Sequence, residues 1–91
     1  MIRLNCFISV TAENKAKVLE AAKRLTDASR KQDGCIAYDI FESATRPDVL
    51  MFCETWKDEA ALKSHSTSKV FIEEVSIIQK NAEMKLESFE F

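Results

Sequence analysis

Apolar and polar residues alternate from Ile2 to Val10, with Ile2, Leu4, Cys6, Ile8 and Val10 on one side and Arg3, Asn5, Phe7 and Ser9 on the other. Successive side chains of an extended chain point to opposite faces, so this period of two predicts a first strand. After Thr11 the period changes. Val18, Leu19, Ala22, Leu25 and Ala28 or Ser29 recur at helical spacing, Thr11 stands where an N-cap belongs, and Glu13 falls in the first turn, where a negative charge meets the positive end of the helix. The helix is predicted to run from about Ala12 to Lys31. Gly34, the single glycine of the chain, follows in place for a left-handed backbone conformation near the C-cap.

Cys35 to Glu42 and Val49 to Lys57 are rich in β-branched, aromatic and other apolar residues and predict two further strands. The short linker Ser43 to Asp48 holds the single proline, Pro47, so the two strands are expected to pair as an antiparallel hairpin with the proline outside the ladder. Asp58 is placed to cap a short helix reaching His65. After a break, Ser66 or Ser68 caps a second helix that turns Val70, Phe71, Val75 and Ile78 inward. Glu83 to Phe91 reads as a last strand, with Met84, Leu86 and Ser88 opposite Lys85, Glu87, Phe89 and Phe91. The order β-α-β-β-α-β predicts an α+β, ferredoxin-like single domain over residues 1–91, its helices on one face of a four-stranded antiparallel sheet. No repeats, linkers or low-complexity segments interrupt it. Because the strands carry apolar residues on both faces and the helices cover one, a second copy of the chain is the expected cover for the other.

Length and composition sharpen that expectation. A domain of 91 residues buries a modest share of its surface and gains from association. Three cysteines, Cys6, Cys35 and Cys53, are odd in number, lack C-x-x-C spacing and lie inside apolar runs, which reads as buried thiols of a reducing cytoplasm. A net charge of −2 with both signs mixed along the chain gives no basic stripe for nucleic acid. No apolar run reaches membrane-spanning length, and the first residues lack the pattern of a cleaved signal, so the expected setting is the cytoplasm.

Few residues are left to carry chemistry. His65 is the single side chain that titrates near neutrality unperturbed, at the end of a helix where it either faces a cleft or caps the last carbonyls. Asn5 is a polar amide in an apolar strand, needing a partner that is a substrate oxygen, a neighbouring side chain or a buried water. Glu54 and Trp56 alternate onto one face of the third strand, above Phe52 and Leu50, where an aromatic beside a carboxylate can stack a flat ring and polarise a phenol. The alternative makes Trp56 core and Glu54 the partner of a basic side chain. Tyr38, Phe41, Phe71 and Phe7 either wall an apolar pocket or are core. One histidine and scattered cysteines form no metal-ligand cluster, and one glycine allows no phosphate loop, so metal, flavin and nucleotide cofactors are not expected. No hydrolytic triad is evident.

The run Glu54-Thr55-Trp56-Lys57-Asp58-Glu59-Ala60-Ala61-Leu62-Lys63-Ser64-His65-Ser66-Thr67-Ser68 carries a resemblance. With Gly34-Cys35-Ile36-Ala37-Tyr38 upstream and Lys69-Val70-Phe71 downstream, it resembles the antibiotic biosynthesis monooxygenase family of the dimeric α+β barrel superfamily. The resemblance implies homodimers paired sheet to sheet. It also implies one of several reactions: oxygenation of polyketide quinols without metal or flavin, oxidation of simpler quinols, heme breakdown, or turnover of small signalling sugars. A histidine placed like His65 recurs in the family, and an asparagine at the strand position of Asn5 lines the pocket in heme-degrading and quinol-oxidising members. The heme branch departs from this chain, having a tryptophan where His65 stands and an axial histidine where Val75 stands. The tryptophan and asparagine that the polyketide branch carries near Leu62 to His65 are also missing.

The resulting expectation is a cofactor-independent monooxygenase that acts on a small phenolic or quinol substrate with dioxygen. His65 would move a proton or contact an oxyanion, Asn5 would orient a substrate oxygen, and Phe7, Trp56 and Phe71, with Tyr38 and Glu54, would bind the ring. One alternative is an isomerase or degradative enzyme for a phosphosugar signal, with Lys63 and Lys69 at the pocket mouth. Another is a non-catalytic dimeric ligand-binding module, in which His65 caps and Trp56 packs.

Overall fold

The computed structural model describes residues 1–91. The elements run β1 (Ile2–Val10), α1 (Ala12–Ser29), β2 (Cys35–Glu42), β3 (Val49–Trp56), α2 (Glu59–Ser66), α3 (Lys69–Asn81) and β4 (Ala82–Glu90). All strands pair antiparallel in the order β2-β3-β1-β4, so the ferredoxin-like α+β class is as expected, with the second helix broken in two. No helix is long and apolar enough to cross a membrane.

The alternation along β1 places the core. Ile2, Leu4, Cys6, Ile8 and Val10 are all buried under the helices, while Arg3, Asn5 and Phe7 are half-buried on the opposite face and Ser9 is exposed. Register carries the same division into β3, where Leu50, Phe52, Glu54 and Trp56 pair with Ile8, Cys6, Leu4 and Ile2. The largest fully buried side chains are Trp56, Phe52, Ile8, Leu25, Leu50 and Ile78, each of the aliphatic ones contributing roughly 1.5–3 kcal/mol by leaving water.

The helix ends differ in detail from the sequence expectation. Helix α1 stops at Ser29 rather than Lys31, and Thr11 stands at its N-cap with extended backbone but without a side-chain hydrogen bond. Asp58 does cap α2, its Oδ1 accepting from the Ala61 N–H at 2.9 Å, and Ser68 caps α3 by accepting from the Phe71 N–H at 3.3 Å. Gly34 has φ +79°, and a Cβ there would overlap Ala61 Cβ, so glycine is required both by the backbone and by the approach of α2. The Gly34 carbonyl accepts from the Lys57 N–H at 2.8 Å, tying the loop after α1 to the end of β3. Together these contacts fix where α2, and with it His65, lies against the sheet. The pairing of β2 with β3 slips between Cys35 and Ala37, an irregularity that the residue pattern does not announce and that leaves Ile36 55% exposed.

Candidate active site

The β2–β3 register sets Tyr38 opposite Glu54, and alternation sets Trp56 two residues along on the same face. His65, from α2, comes down onto these three. Its ring centroid lies 4.4 Å from that of Trp56 and 5.4 Å from that of Tyr38, and Phe71 of α3 meets it edge-on at 5.0 Å. The imidazole is 2% exposed and Glu54 5% exposed, an unusual degree of burial for either residue.

The polar atoms of this cluster are only partly satisfied. Trp56 Nε1–H donates to Glu54 Oε1 at 2.8 Å, and the Tyr38 hydroxyl stands beside Glu54 and Ser29. His65 Nδ1 lies 2.7 Å from Gln32 Oε1, whereas His65 Nε2 is buried without a hydrogen-bond partner, its nearest carboxylate oxygen being Glu54 Oε1 at 3.9 Å. A buried polar atom left unpaired costs about 1–3 kcal/mol, so an orphaned ring nitrogen in a packed interior asks for an explanation.

Burial dominates the electrostatics here, because loss of water penalises whichever form is charged. It raises the Glu54 carboxyl from 4.5 to about 7, against the opposing hydrogen bonds of Trp56 and Tyr38. Burial also lowers His65 from 6.5 to about 4 and raises the Tyr38 phenol. Cys6 is pushed up to about 11 by burial and by the Glu54 charge, and Cys35 is raised by the same two causes against a smaller opposing effect of Arg30. Between about pH 4 and 7 the pair is therefore a neutral imidazole beside a protonated carboxyl, not an ion pair. Such a pair can take up and pass on a proton near neutrality.

The sequence-predicted residues separate into two groups. His65, Glu54, Trp56, Tyr38 and Phe71 converge as described. Asn5 and Phe7 lie on the other face of the sheet, so the expected single pocket walled by Phe7 as well as Trp56, with Asn5 and His65 on one substrate, is corrected: the sheet itself stands between them. Asn5 Oδ1 instead accepts from Cys53 Sγ at 3.5 Å, and Arg3 donates to the same sulfur at 2.8 Å. The His65 ring does not cap α2, since its Nδ1 is taken by Gln32. Nor does Glu54 pair with a lysine or arginine. Lys63 and Lys69 are exposed, the latter 3.8 Å from Glu73, and neither enters the cluster, which weakens the phosphosugar alternative. Gln32 lies in an irregular segment after α1, where a polar residue carries no signal in the sequence.

Two grooves lie elsewhere. One of about 650 Å³ runs between Met1, Ile2, Glu90 and Phe91 on one side and Lys57 to Glu59 on the other, and one of about 500 Å³ lies at the opposite end, near Thr11, Asn14 and Asn81. Neither is lined by His65 or Glu54, which lie in the packed interior beside half-buried Phe71 and Gln32. No three histidine, cysteine or acidic side chains converge on a common point that could hold a metal ion.

The sequence profile described as antibiotic biosynthesis monooxygenase matches residues 1–73, which spans β1 through the first turn of α3 and includes every member of the buried cluster. The chain belongs to the antibiotic biosynthesis monooxygenase family. Among similar proteins, YcnE of Bacillus subtilis, provisionally named a monooxygenase, is 37% identical over 78% of this chain and 75% of its own. A protein of Bacteroides thetaiotaomicron of unknown function, described as a possible oxidoreductase, is 56% identical and superposes with a TM-score of 0.97 over 99% of this chain and 96% of that one. SnoaB of Streptomyces nogalater, a cofactor-independent oxygenase, superposes with a TM-score of 0.88 over 99% of this chain and 91% of its own. At 11% identity it shares the fold alone. Within the antibiotic biosynthesis monooxygenase fold, then, this chain packs a glutamic acid, a histidine and three aromatic rings under its helices.

Proposed function

We propose that this protein is a cofactor-independent monooxygenase that oxidises a small phenolic or quinol substrate with dioxygen. The observation that carries the reading is His65 Nε2, an unpaired basic nitrogen in a dry aromatic setting with a carboxyl 3.9 Å away. A neutral imidazole held at about 4 by burial takes a proton from a phenol only when something offsets the buried positive charge, and Glu54, 3.9 Å away, would do so once ionised. The substrate anion then gives one electron to dioxygen; radical and superoxide combine at carbon, the resulting peroxide anion takes back the proton held by His65, and the hydroperoxide loses water to leave a carbonyl. An anthrone-like CH2 and O2 thus become C=O and H2O, in balance without another reductant. Trp56, Tyr38 and Phe71 supply flat apolar surface for the ring, and exclusion of water keeps the anion reactive.

The open sheet face supports a homodimer. Phe41 and Phe89 are each 50% exposed there, beside half-buried Phe7 and Met51, and a second copy would bury them. Three free thiols, with Cys6 and Cys53 on opposite faces of the sheet, suit a reducing compartment such as the cytoplasm.

The test is dioxygen uptake by metal-stripped protein offered a panel of quinols and anthrone-like phenols, with His65→Gln as control. Uptake that rises with pH through about 7, as Glu54 ionises, and is lost in the variant while the fold persists is the expected result. No uptake across the panel overturns the reading in favour of a non-catalytic binding module.

A further inference from the structure

The ring orientation of His65 is held by a relay of side chains that lies behind it, on the side away from Glu54. Ser68 Oγ stands 2.6 Å from the His65 carbonyl oxygen. Two oxygens approach that closely only with a proton between them, and a carbonyl has none, so the serine spends its one hydrogen there. Its oxygen is then an acceptor for every other contact, and it accepts from the Phe71 N–H at 3.3 Å. The end of the Gln32 amide that lies 3.3 Å from the same oxygen must therefore be its NH2, whichever way the amide would otherwise be drawn. That leaves the Gln32 oxygen facing His65 Nδ1 at 2.7 Å, and an amide oxygen needs a donor. Nδ1 accordingly carries the hydrogen, and the lone pair of the neutral ring is on Nε2, pointing into the cluster toward Glu54.

We infer that Gln32, itself oriented by Ser68, is a positioning residue that locks His65 in the Nδ1–H form and so presents Nε2 as the proton acceptor of the site. Neither residue touches Glu54; both act through the imidazole. Its catalytic consequence rests on the monooxygenase reading, whereas the tautomer itself does not. A ring with its hydrogen on Nε2 would donate toward Glu54 and have no free lone pair for a phenol. The cost of burying Nε2 unpaired is then a feature of the resting protein that a substrate hydroxyl relieves.

The chain has one histidine, so the long-range proton–nitrogen spectrum of uniformly 15N-labelled full-length protein reports on His65 alone. The expected spectrum at pH 7 has a protonated Nδ1 and a bare Nε2. Gln32→Leu, which removes the acceptor with little change in volume, should convert the ring to the Nε2–H form or to a mixture, as should Ser68→Ala by freeing the amide to turn. Gln32→Glu loses the NH2 that Ser68 Oγ accepts but still offers Nδ1 an acceptor and no donor, so it should keep the hydrogen on Nδ1 where Gln32→Leu does not. Nε2–H in the unaltered protein, or a spectrum that Gln32→Leu leaves unchanged in a folded chain, overturns the inference. With an active substrate in hand, Gln32→Leu should lower kcat by about a hundredfold while KM moves little, the size of effect that general-base catalysis supplies. A confirmed tautomer without uptake on any phenol would overturn the monooxygenase reading and leave the relay standing.

Discussion

On the helix-covered face of the sheet, β1 contributes Ile2, Leu4, Cys6, Ile8 and Val10, none more than 6% exposed, and β3 adds Leu50, Phe52, Glu54 and Trp56. On the other face the same two strands present Arg3, Asn5, Phe7 and Ser9 with Met51, Cys53 and Thr55, most of them half-buried, and Arg3, Cys53 and Asn5 are bonded to one another. Both faces mix apolar with polar side chains, so composition does not distinguish them. Water does: under the helices it is excluded, and a carboxyl and an imidazole there shift in opposite directions. Across the sheet Asn5, Cys53 and Arg3 merely satisfy one another. A polar group becomes chemically distinctive in this fold when it is buried and left short of partners, not simply when it lies in a strand.

The contrast is broken most forcefully at Trp56. Trp56→Ala should cost about 3–5 kcal/mol in urea denaturation, because it empties a fully buried site and strips Glu54 of its indole donor. A loss under about 1 kcal/mol would mean that the helix-covered face is loosely packed.

Glu54→Gln sharpens the comparison through pH. The Glu54 carboxyl, raised to about 7, keeps a proton that the unfolded chain loses from 4.5 upward, so its contribution to stability falls by about 3 kcal/mol as pH climbs from 4.5 to 7. His65, lowered to about 4, stays neutral where the unfolded chain gains a proton, so its contribution falls by about 3 kcal/mol as pH drops from 6.5 to 4. Between 4.5 and 6.5 the two slopes oppose and largely cancel. Glu54→Gln leaves the histidine slope alone, so the variant should lose stability on acidification from pH 6.5 to 4, seen as denaturation midpoints that fall steadily where the unaltered protein's stay level. Level midpoints in both proteins would show that His65 is not buried neutral.

On the open face the expected effects are on association. Phe41→Glu combined with Phe89→Glu should weaken the proposed dimer by about tenfold or more in Kd, read by sedimentation, with the monomer still folded. Unchanged sedimentation would remove this face as the dimer contact. The smallest effect is expected at Asn5. Asn5→Ala should change stability by less than about 1 kcal/mol and leave dioxygen uptake within about twofold, since its partner is a thiol that neighbours Arg3. A large loss of uptake would show that the open face takes part in the reaction.

Much of the fold was legible from periodicity. The alternation of β1, the bounds of β2 at Cys35 and Glu42, the cap Asp58 and the break between α2 and α3 all follow from local chemistry and all appear in the structure, which also decides for Ser68 over Ser66 as the cap of α3. Helix α1 ends two residues before the Lys31 that its pattern predicts, because Arg30 and Lys31 are compatible with helix and only the turn toward Gly34 ends it. The slip between Cys35 and Ala37 has no local signature. For the site, alternation put Glu54 and Trp56 on one face, yet it equally suggested Asn5 and Phe7 as companions of His65, since a strand read alone does not say which of its faces the helices cover.

The sequence by itself determined the element order, the antiparallel pairing, the two-sided character of the strands and the scarcity of chemically active side chains. These depend on short-range backbone preference and on a period of two or of 3.6, both written into neighbouring residues. Only the tertiary structure decided that Gln32, Tyr38, Glu54, Trp56, His65 and Phe71 meet, that the imidazole is backed by an amide instead of capping its helix, and that Asn5 is shut off behind the sheet. Those outcomes require α2 to dock against Gly34 and β3 and water to leave the space beneath it, which are long-range events that no local pattern of residues encodes.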